Sequence, residues 1–162
     1  MRNKEERYIT ISNSTQNWVK RSKMLLAGQF CMNPNDTELK KKFEIKILKN
    51  EFLEPDNAEK EIKYCNEIYE KLLEEFSNKL NSIHKINWSV RSWRILIGPW
   101  LNRYIAVINN RLNILLEAKK DFKVIFKKIH FKDQSLLSSD LLDFSLNSLN
   151  DVWNEKLIRR IN

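Results

Sequence analysis

Met24-Leu-Leu-Ala27, running directly into Gly28-Gln29-Phe30-Cys31, is the stretch on which the fold turns. An unbroken apolar run this short, bounded by Lys23 and Gly28, suits a strand covered on both faces, as in the middle of a parallel sheet. Its neighbours have strand character of other kinds. Phe43-Glu-Ile-Lys-Ile-Leu48 alternates apolar and polar residues, as a half-buried strand does, and Tyr8-Ile-Thr-Ile11 forms an extended opening. Lys123-Val-Ile-Phe126 comes after long helical stretches and can return the chain to the same sheet. Strand, helices, strand is an α/β pattern. The expected fold is therefore a small Rossmann-like sheet of about four strands packed with long amphipathic helices. The connection between the first strands is barely long enough for a parallel crossover, which takes about a dozen residues, so the strand order stays open.

The helices announce themselves by spacing. Ile62, Cys65, Tyr69, Leu72, Leu73, Phe76, Leu80 and Ile83 recur at intervals of three and four, which predicts one apolar face on a helix from about Asn57 to Ile83. Asp56 is placed to cap it, since its carboxylate can accept from free amides of the first turn. A second helical region covers about Val90 to Ala118, with Trp100, Tyr104, Val107, Ile108, Leu112 and Leu115 as its buried face. Gly98-Pro99 predicts a break or kink within it, because proline lacks an amide hydrogen and crowds the preceding turn. Ser139 and Asp151 are the expected caps of two short final helices.

Composition narrows the function classes. The chain has 162 residues, 42% of them apolar and 31% charged, enough to bury the core of one domain spanning residues 1–162. A net charge of +8, with clusters at Lys40-Lys41-Lys42, Lys127-Lys128 and Arg159-Arg160, favours anionic partners. The same clusters are interleaved with Asp and Glu, which also fits an ordinary solvated surface. Cys31 and Cys65 are the only cysteines, so there is neither a disulfide framework nor metal-ligand spacing, and a reducing compartment follows. Gly28 and Gly98 are the only glycines, which rules out a glycine-rich phosphate-cradling loop; no cofactor is expected within this segment. Met1 to Arg7 is not followed by an apolar stretch of signal-peptide length. Ile95 to Leu101 is about a third of a membrane span. The expected location is the cytoplasm, with any membrane contact peripheral at the inner face.

Ile83-His-Lys-Ile-Asn-Trp-Ser-Val-Arg-Ser-Trp-Arg-Ile-Leu-Ile-Gly-Pro-Trp-Leu101 is too rich in tryptophan and arginine at fixed places to be a product of composition. It resembles the central motif of a family of transferases encoded in bacterial O-antigen and surface-carbohydrate regions, whose members read roughly IHG-x-N-x-S-x-R-x-W-R-I-L-I-G-P-W-L here. The extended opening at Tyr8 to Ser12, the Leu-Leu-Ala-Gly28-Gln29-Phe30-Cys31 segment, the Tyr64 to Leu73 helix and Asp151-Val-Trp153-Asn154 are similar to the family in the same order. The resemblance spans nearly the whole chain and corresponds to the N-terminal part of typical members. It implies transfer of a sugar from an activated nucleotide donor, on two Rossmann-like halves around a cleft (the GT-B arrangement). This chain would be the acceptor-side half, and its partners a sugar or lipid-linked acceptor and a separate nucleotide-donor-binding half. Nucleic acid is not expected. One departure matters: where the family usually has Gly-Glu-Trp, this sequence has Gly28-Gln29-Phe30, and an amide cannot act as a general base. The rival readings are a non-catalytic basic module for an anionic partner, for which binding should fall steeply with salt, and an inactive truncated relic.

The candidate site residues follow. Gly28 and Gln29 stand just past the central strand, at the edge of the expected cleft, because ligands in open α/β sheets bind outside the carboxyl ends of strands. Arg91 and Arg94, spaced three apart, can present a forked pair to a phosphate or sugar acid, or pair with the acidic face of a neighbouring helix. Asn87 and Trp88 precede the second helix and offer a polar and an aromatic contact. Trp93 and Trp100 read as core. His84 is the candidate proton acceptor for a substrate hydroxyl, against the simpler role of a helix-end histidine, and His130, between Ile129 and Phe131, is weaker still.

Overall fold

In the computed structural model, which describes residues 4–13, 18–19, 22–32, 37–49, 55–128 and 135–162, the chain alternates strands and helices as the sequence pattern requires. The order is β1 (Glu5–Thr10), β2 (Lys23–Leu26), a 3-10 turn (Gln29–Cys31), α1 (Thr37–Lys42), β3 (Glu44–Ile47), α2 (Pro55–His84), α3 (Val90–Asp121), β4 (Phe122–Ile125), α4 (Leu141–Leu149) and α5 (Asp151–Arg160). The fold is α/β. It divides into two compact units: Met1–Asn50, Arg111–Leu137 and Leu146–Asn162 form the first, and Glu51–Asn110 with Ser138–Ser145 the second. Asn33 to Asp36 and His130 lie outside the described residues.

The first unit holds the sheet. Its strand order is β3-β2-β1-β4, with every pair parallel, so β2 is interior as its apolar run predicts. Met24, Leu25 and Leu26 are completely buried, in register with Tyr8, Ile9 and Thr10 on one side and Ile45, Lys46 and Ile47 on the other. Side chains alternate across a strand. Glu5, Arg7 and Ile9 therefore share a face with Lys23 and Leu25, Glu44 and Lys46, and Phe122 and Val124. Toward the amino ends this face is ionic. Arg7, fully buried, donates to the carbonyls of Met24 and Glu44 at 3.2 and 3.1 Å and to the carboxylates of Glu5 and Glu44. Glu5 also accepts from Lys23 and Lys46. Ile9, Leu25, Ile114, Leu115, Ala118 and Ile158 belong to the core of this unit, with Trp18 buried beside Phe43.

The core of the second unit is a helix pair. Leu73 of α2 packs with Trp93, Leu101 and Ile105 of α3, and Cys65, Tyr69, Leu72 and Leu80 pack around them. Ile62, Phe76 and Ile83 lie on the predicted apolar face of α2 yet remain exposed, since the stripe is wider than the part that meets the core. Phe144 of α4 is buried in this unit against Tyr104, ring centres 5.5 Å apart.

Four local expectations change. Helix α3 runs through Gly98 and Pro99 without a break. Proline removes one amide, and the carbonyl it would have served belongs to Ile95, a residue three-quarters exposed, so water can take the lost bond. Gly98 is there for space: a Cβ would come within 2.5 Å of the Tyr69 hydroxyl. The caps also move by one residue. Asn150, not Asp151, caps α5, accepting from Val152 and Trp153 amides at 2.9 and 3.1 Å. Asp140, not Ser139, accepts from the Asp143 amide at the start of α4, while the Asp143 carboxylate turns back to the Ser139 amide. Asp56 lies inside the first turn of α2, which begins at Pro55.

Candidate functional site

The strand order fixes where a ligand would sit in the first unit. From β1 the chain steps outward through β2 and β3, then returns to the opposite side of β1 as β4, the last strand, so β1 lies between β2 and β4. Ligands in open parallel sheets bind outside the carboxyl ends of the strands. The residues just past these strand ends are Ile11 and Ser12, Ala27 to Cys31, and Phe126 to Lys127.

Helix α5 reaches this edge with polar side chains. Glu155, only 2% exposed, accepts from the Thr10 hydroxyl at 3.0 Å and from the Ile11 amide at 3.2 Å. One turn later Arg159 donates to Glu155 at 3.4 Å and to the Lys127 carbonyl at 2.6 Å, its guanidinium lying over the Phe126 ring. Residues four apart share a helix face, so one stretch of α5 ties the end of β1 to the end of β4. Asn154 accepts from Arg111 of α3 at 2.8 Å and donates to the carbonyls of Ser148 and Asn150, which ties α5 to the residues just before it. Arg111 is partly dehydrated here, which lowers its pKa. A buried carboxylate engaged this fully is held in one position, and the segment after β1 is held with it.

Gly28 and Gln29 form the rim at the end of β2. The Gly28 carbonyl accepts from Cys31 and the Gln29 carbonyl from Met32, making a single tight turn. Gly28 has extended backbone that any residue adopts; a Cβ there would stand 2.6 Å from the exposed Phe30 ring, which would have to turn aside. The turn leaves Gln29 and Phe30 exposed and Cys31 fully buried beneath them. Burial pushes the Cys31 thiol up to about 12, and its sulfur points at the Thr10 carbonyl, 3.7 Å away.

The other candidates, His84, Asn87, Trp88, Arg91 and Arg94, all fall in the second unit, at and after the corner between α2 and α3. Arg94 forks onto Glu70 with two bonds of 2.6 Å and lies over the Tyr69 ring, which raises its pKa further and lowers that of Glu70. Its fork is thus occupied by the acidic side of α2. Asn87, Arg91 and His84 are exposed. His84 lies 6.4 Å from the Trp93 ring, and Trp88 rests on the same ring at 5.2 Å. Asn81 organises the corner: its side chain accepts from the Trp88 amide and the Trp93 indole and donates to the Trp88 carbonyl. Trp93 is core, as expected.

Thr10, Glu155, Arg159 and Asn81 escape sequence reasoning. Glu155 and Arg159 form an i,i+4 pair, the one signal available, but such pairs are common on exposed helices. Asn81 acts on residues seven and twelve positions ahead, which no local pattern encodes. Among the described residues there is no group of His, Cys, Asp and Glu suited to a metal ion, and no helix is long and apolar enough to cross a membrane.

No curated protein and no solved structure matches the chain. A family model does, that of the LIC12162 family transferase, and the match runs from residue 7 to residue 162, taking in the strand that carries Arg7, the Gly28 rim, the Asn81 corner and the whole of α5. With all of these elements inside the match, the chain belongs to the LIC12162 family of transferases.

Proposed function

We propose that this chain serves the transfer of a sugar from a nucleotide-activated donor to an acceptor in bacterial surface-carbohydrate synthesis, and that it forms the acceptor-side half of a two-half, GT-B-like enzyme. The observation that carries this reading is the carboxyl edge of the parallel sheet, where Gly28, Gln29 and Phe30 form a rim beside the buried Thr10–Glu155–Arg159 ties. Transferase membership supplies the reaction class. The segment after β1 begins Ile11-Ser12-Asn13 and has no glycine, so it lacks the close-approach turn that receives a pyrophosphate, and this favours the acceptor role. Leu146 and Leu149 stand exposed on α4 within the first unit, apolar side chains that suit a further protein surface. The complementary half would then supply the donor site, and Gln29 would bind the acceptor without taking a proton from it.

The test is a titration of the 162-residue chain followed by backbone amide NMR. Monosaccharides and glycosyl phosphates are expected to shift Gln29, Phe30 and Ser12, and uridine- or guanosine-diphosphate sugars are expected to leave them in place. Nucleotide sugars binding as well as acceptors would overturn the acceptor-side assignment. Silence from every sugar, with RNA or anionic vesicles binding in a salt-dependent way, would replace sugar transfer with the anion-binding module.

A further inference from the structure

The corner between α2 and α3 is built more rigidly than a connection needs to be. Helix α2 ends with the Ile86 amide returning to the Asn81 carbonyl at 3.1 Å, a closure that places Lys85 at φ 53, the left-handed region that favours glycine. A lysine held there costs about 1 kcal/mol of backbone strain, and strain of this kind is kept where the surroundings fix it. Two residues on, Trp88 has both its amide and its carbonyl bound by the one Asn81 side chain, at 3.1 and 2.9 Å. Its indole, 48% exposed, lies against the buried Trp93, which the same Asn81 holds through the indole nitrogen at 2.9 Å. The result is an exposed aromatic plane on a fixed backbone, with His84 6.4 Å from the same Trp93 ring.

Charge sets what such a plane would receive. Between Glu75 and Glu117 the sequence has no Asp or Glu, in a chain that carries 21 of them. Within the corner, Lys85 and Arg91 stand three positions before and after Trp88 in the sequence, are exposed, and form no ion pair among the described residues, unlike Arg94, which is spent on Glu70. Asn87 adds a hydrogen-bonding group next to Trp88, while the Ser89 hydroxyl is engaged with Ser92 at the start of α3. An indole offers the apolar C–H face of a pyranose a flat surface, and cations at its edge hold an anionic substituent of the same ring. A purely apolar partner would leave Lys85 and Arg91 without counter-charge, and a simple anion would leave the indole unused.

The geometry points to a binding platform for an acidic sugar unit, with the pyranose stacked on Trp88 and its carboxylate or phosphate held between Lys85 and Arg91. The inference rests on the sugar-transfer reading for its ligand class and adds to it a place and a charge.

The experiment follows the tryptophan indole resonances of the full chain while it is titrated into the millimolar range with methyl glucuronide, glucose 1-phosphate, methyl glucoside and inorganic phosphate. One of the two charged sugars is expected to shift Trp88 at the lowest concentration, and which one it is identifies the anionic group as carboxylate or phosphate. Trp88→Phe is expected to weaken that binding roughly three- to tenfold and Trp88→Ala to remove it. Lys85→Ala or Arg91→Ala should bring the charged sugar down to the affinity of methyl glucoside. Trp88→Phe retains a ring against Trp93, so unchanged Trp93 and Leu73 resonances in that variant separate lost binding from lost folding. The inference is overturned if inorganic phosphate binds as tightly as glucose 1-phosphate, if methyl glucoside matches both charged sugars, or if Trp88→Ala binds like the parent. A shift at Trp88 with none at Gln29 would sustain this platform while sinking the sheet-edge acceptor site, and the reverse result would do the opposite.

Discussion

Two side chains at the sheet edge show how burial decides chemistry at a single position. Cys31 has the sequence surroundings of a cleft residue, one step past the exposed Gln29 and Phe30, yet it is fully enclosed and its thiol is pushed up to about 12. The thiolate is the reactive form, so Cys31 is expected to resist iodoacetamide at pH 8 in the folded chain while Cys65, only partly buried although its thiol is also raised, is alkylated first. Mass spectrometry of the alkylated peptides checks this, and modification of Cys31 at the rate of a free thiol would contradict the packing described. Glu155 is the converse case, a carboxylate buried because its partners are in place. Glu155→Ala removes the acceptor of the Thr10 hydroxyl and the Ile11 amide and should cost about 2–4 kcal/mol, read as a lowered urea midpoint. Glu155→Gln, which keeps an acceptor oxygen, should lose less. Equal midpoints for the parent and the alanine variant would mean that water replaces the carboxylate.

At the scale of elements, α3 and the ionic end of the sheet carry the sharpest expectations. In an exposed helix Gly→Ala gains about 1 kcal/mol of helix propensity. At Gly98 the added methyl meets the Tyr69 hydroxyl, so Gly98→Ala is expected to destabilise by about 1 kcal/mol, and in a Tyr69→Phe background to stabilise instead. A double-mutant cycle by denaturant unfolding reads the change of sign, and the same effect in both backgrounds would dismiss the steric account. Glu5 joins three strands through Lys23, Arg7 and Lys46, whose bonds lower its pKa from 4.5 to about 2. A carboxyl with a depressed folded pKa stabilises the fold fully above about pH 4.5 and loses that contribution as the pH falls to about 2. The difference in urea midpoint between the parent and Glu5→Gln should thus be constant at neutral pH and shrink through that window. A difference independent of pH would show that the lattice holds without the charge. The elements themselves were legible in the sequence because apolar spacing dictates which face is buried; β2 and α2 were found within two residues. Caps were misplaced by one because Ser139-Asp140 and Asn150-Asp151 each offer adjacent side chains able to accept the same amides. Of the break or kink expected at Pro99, the break does not occur, and what proline costs there depends on whether water reaches the abandoned carbonyl, a property of the folded surface.

At the scale of the whole molecule, the order of neighbours in the sheet could not be read from the sequence, since pattern identifies strands without naming their partners. The sheet joins β1 to β4 across more than a hundred residues, and the last helix secures both. A chain ending at Asn150 would lose Trp153, Leu157 and Ile158 from the buried set together with Glu155 and Arg159. It is expected to lose the protection of β1 and β2 amides in hydrogen exchange, whereas full protection of β2 in that chain would show α5 to be dispensable. The candidate site was half legible for the same reason: Gly28 and Gln29 sit at a strand end that local pattern reveals, and the α5 residues that complete the edge are brought there only by the fold. The β1–β4 pairing also bears on how the protein is made. During synthesis β1 leaves the ribosome well before β4, the strand that covers its second edge, which follows only after residue 121. At about 5–20 residues per second, that edge stays open for on the order of ten seconds, a long exposure for a bare strand. A nascent chain of this design needs a chaperone, or the charges of Glu5, Glu6 and Arg7 along β1, to keep it from pairing with the wrong partner.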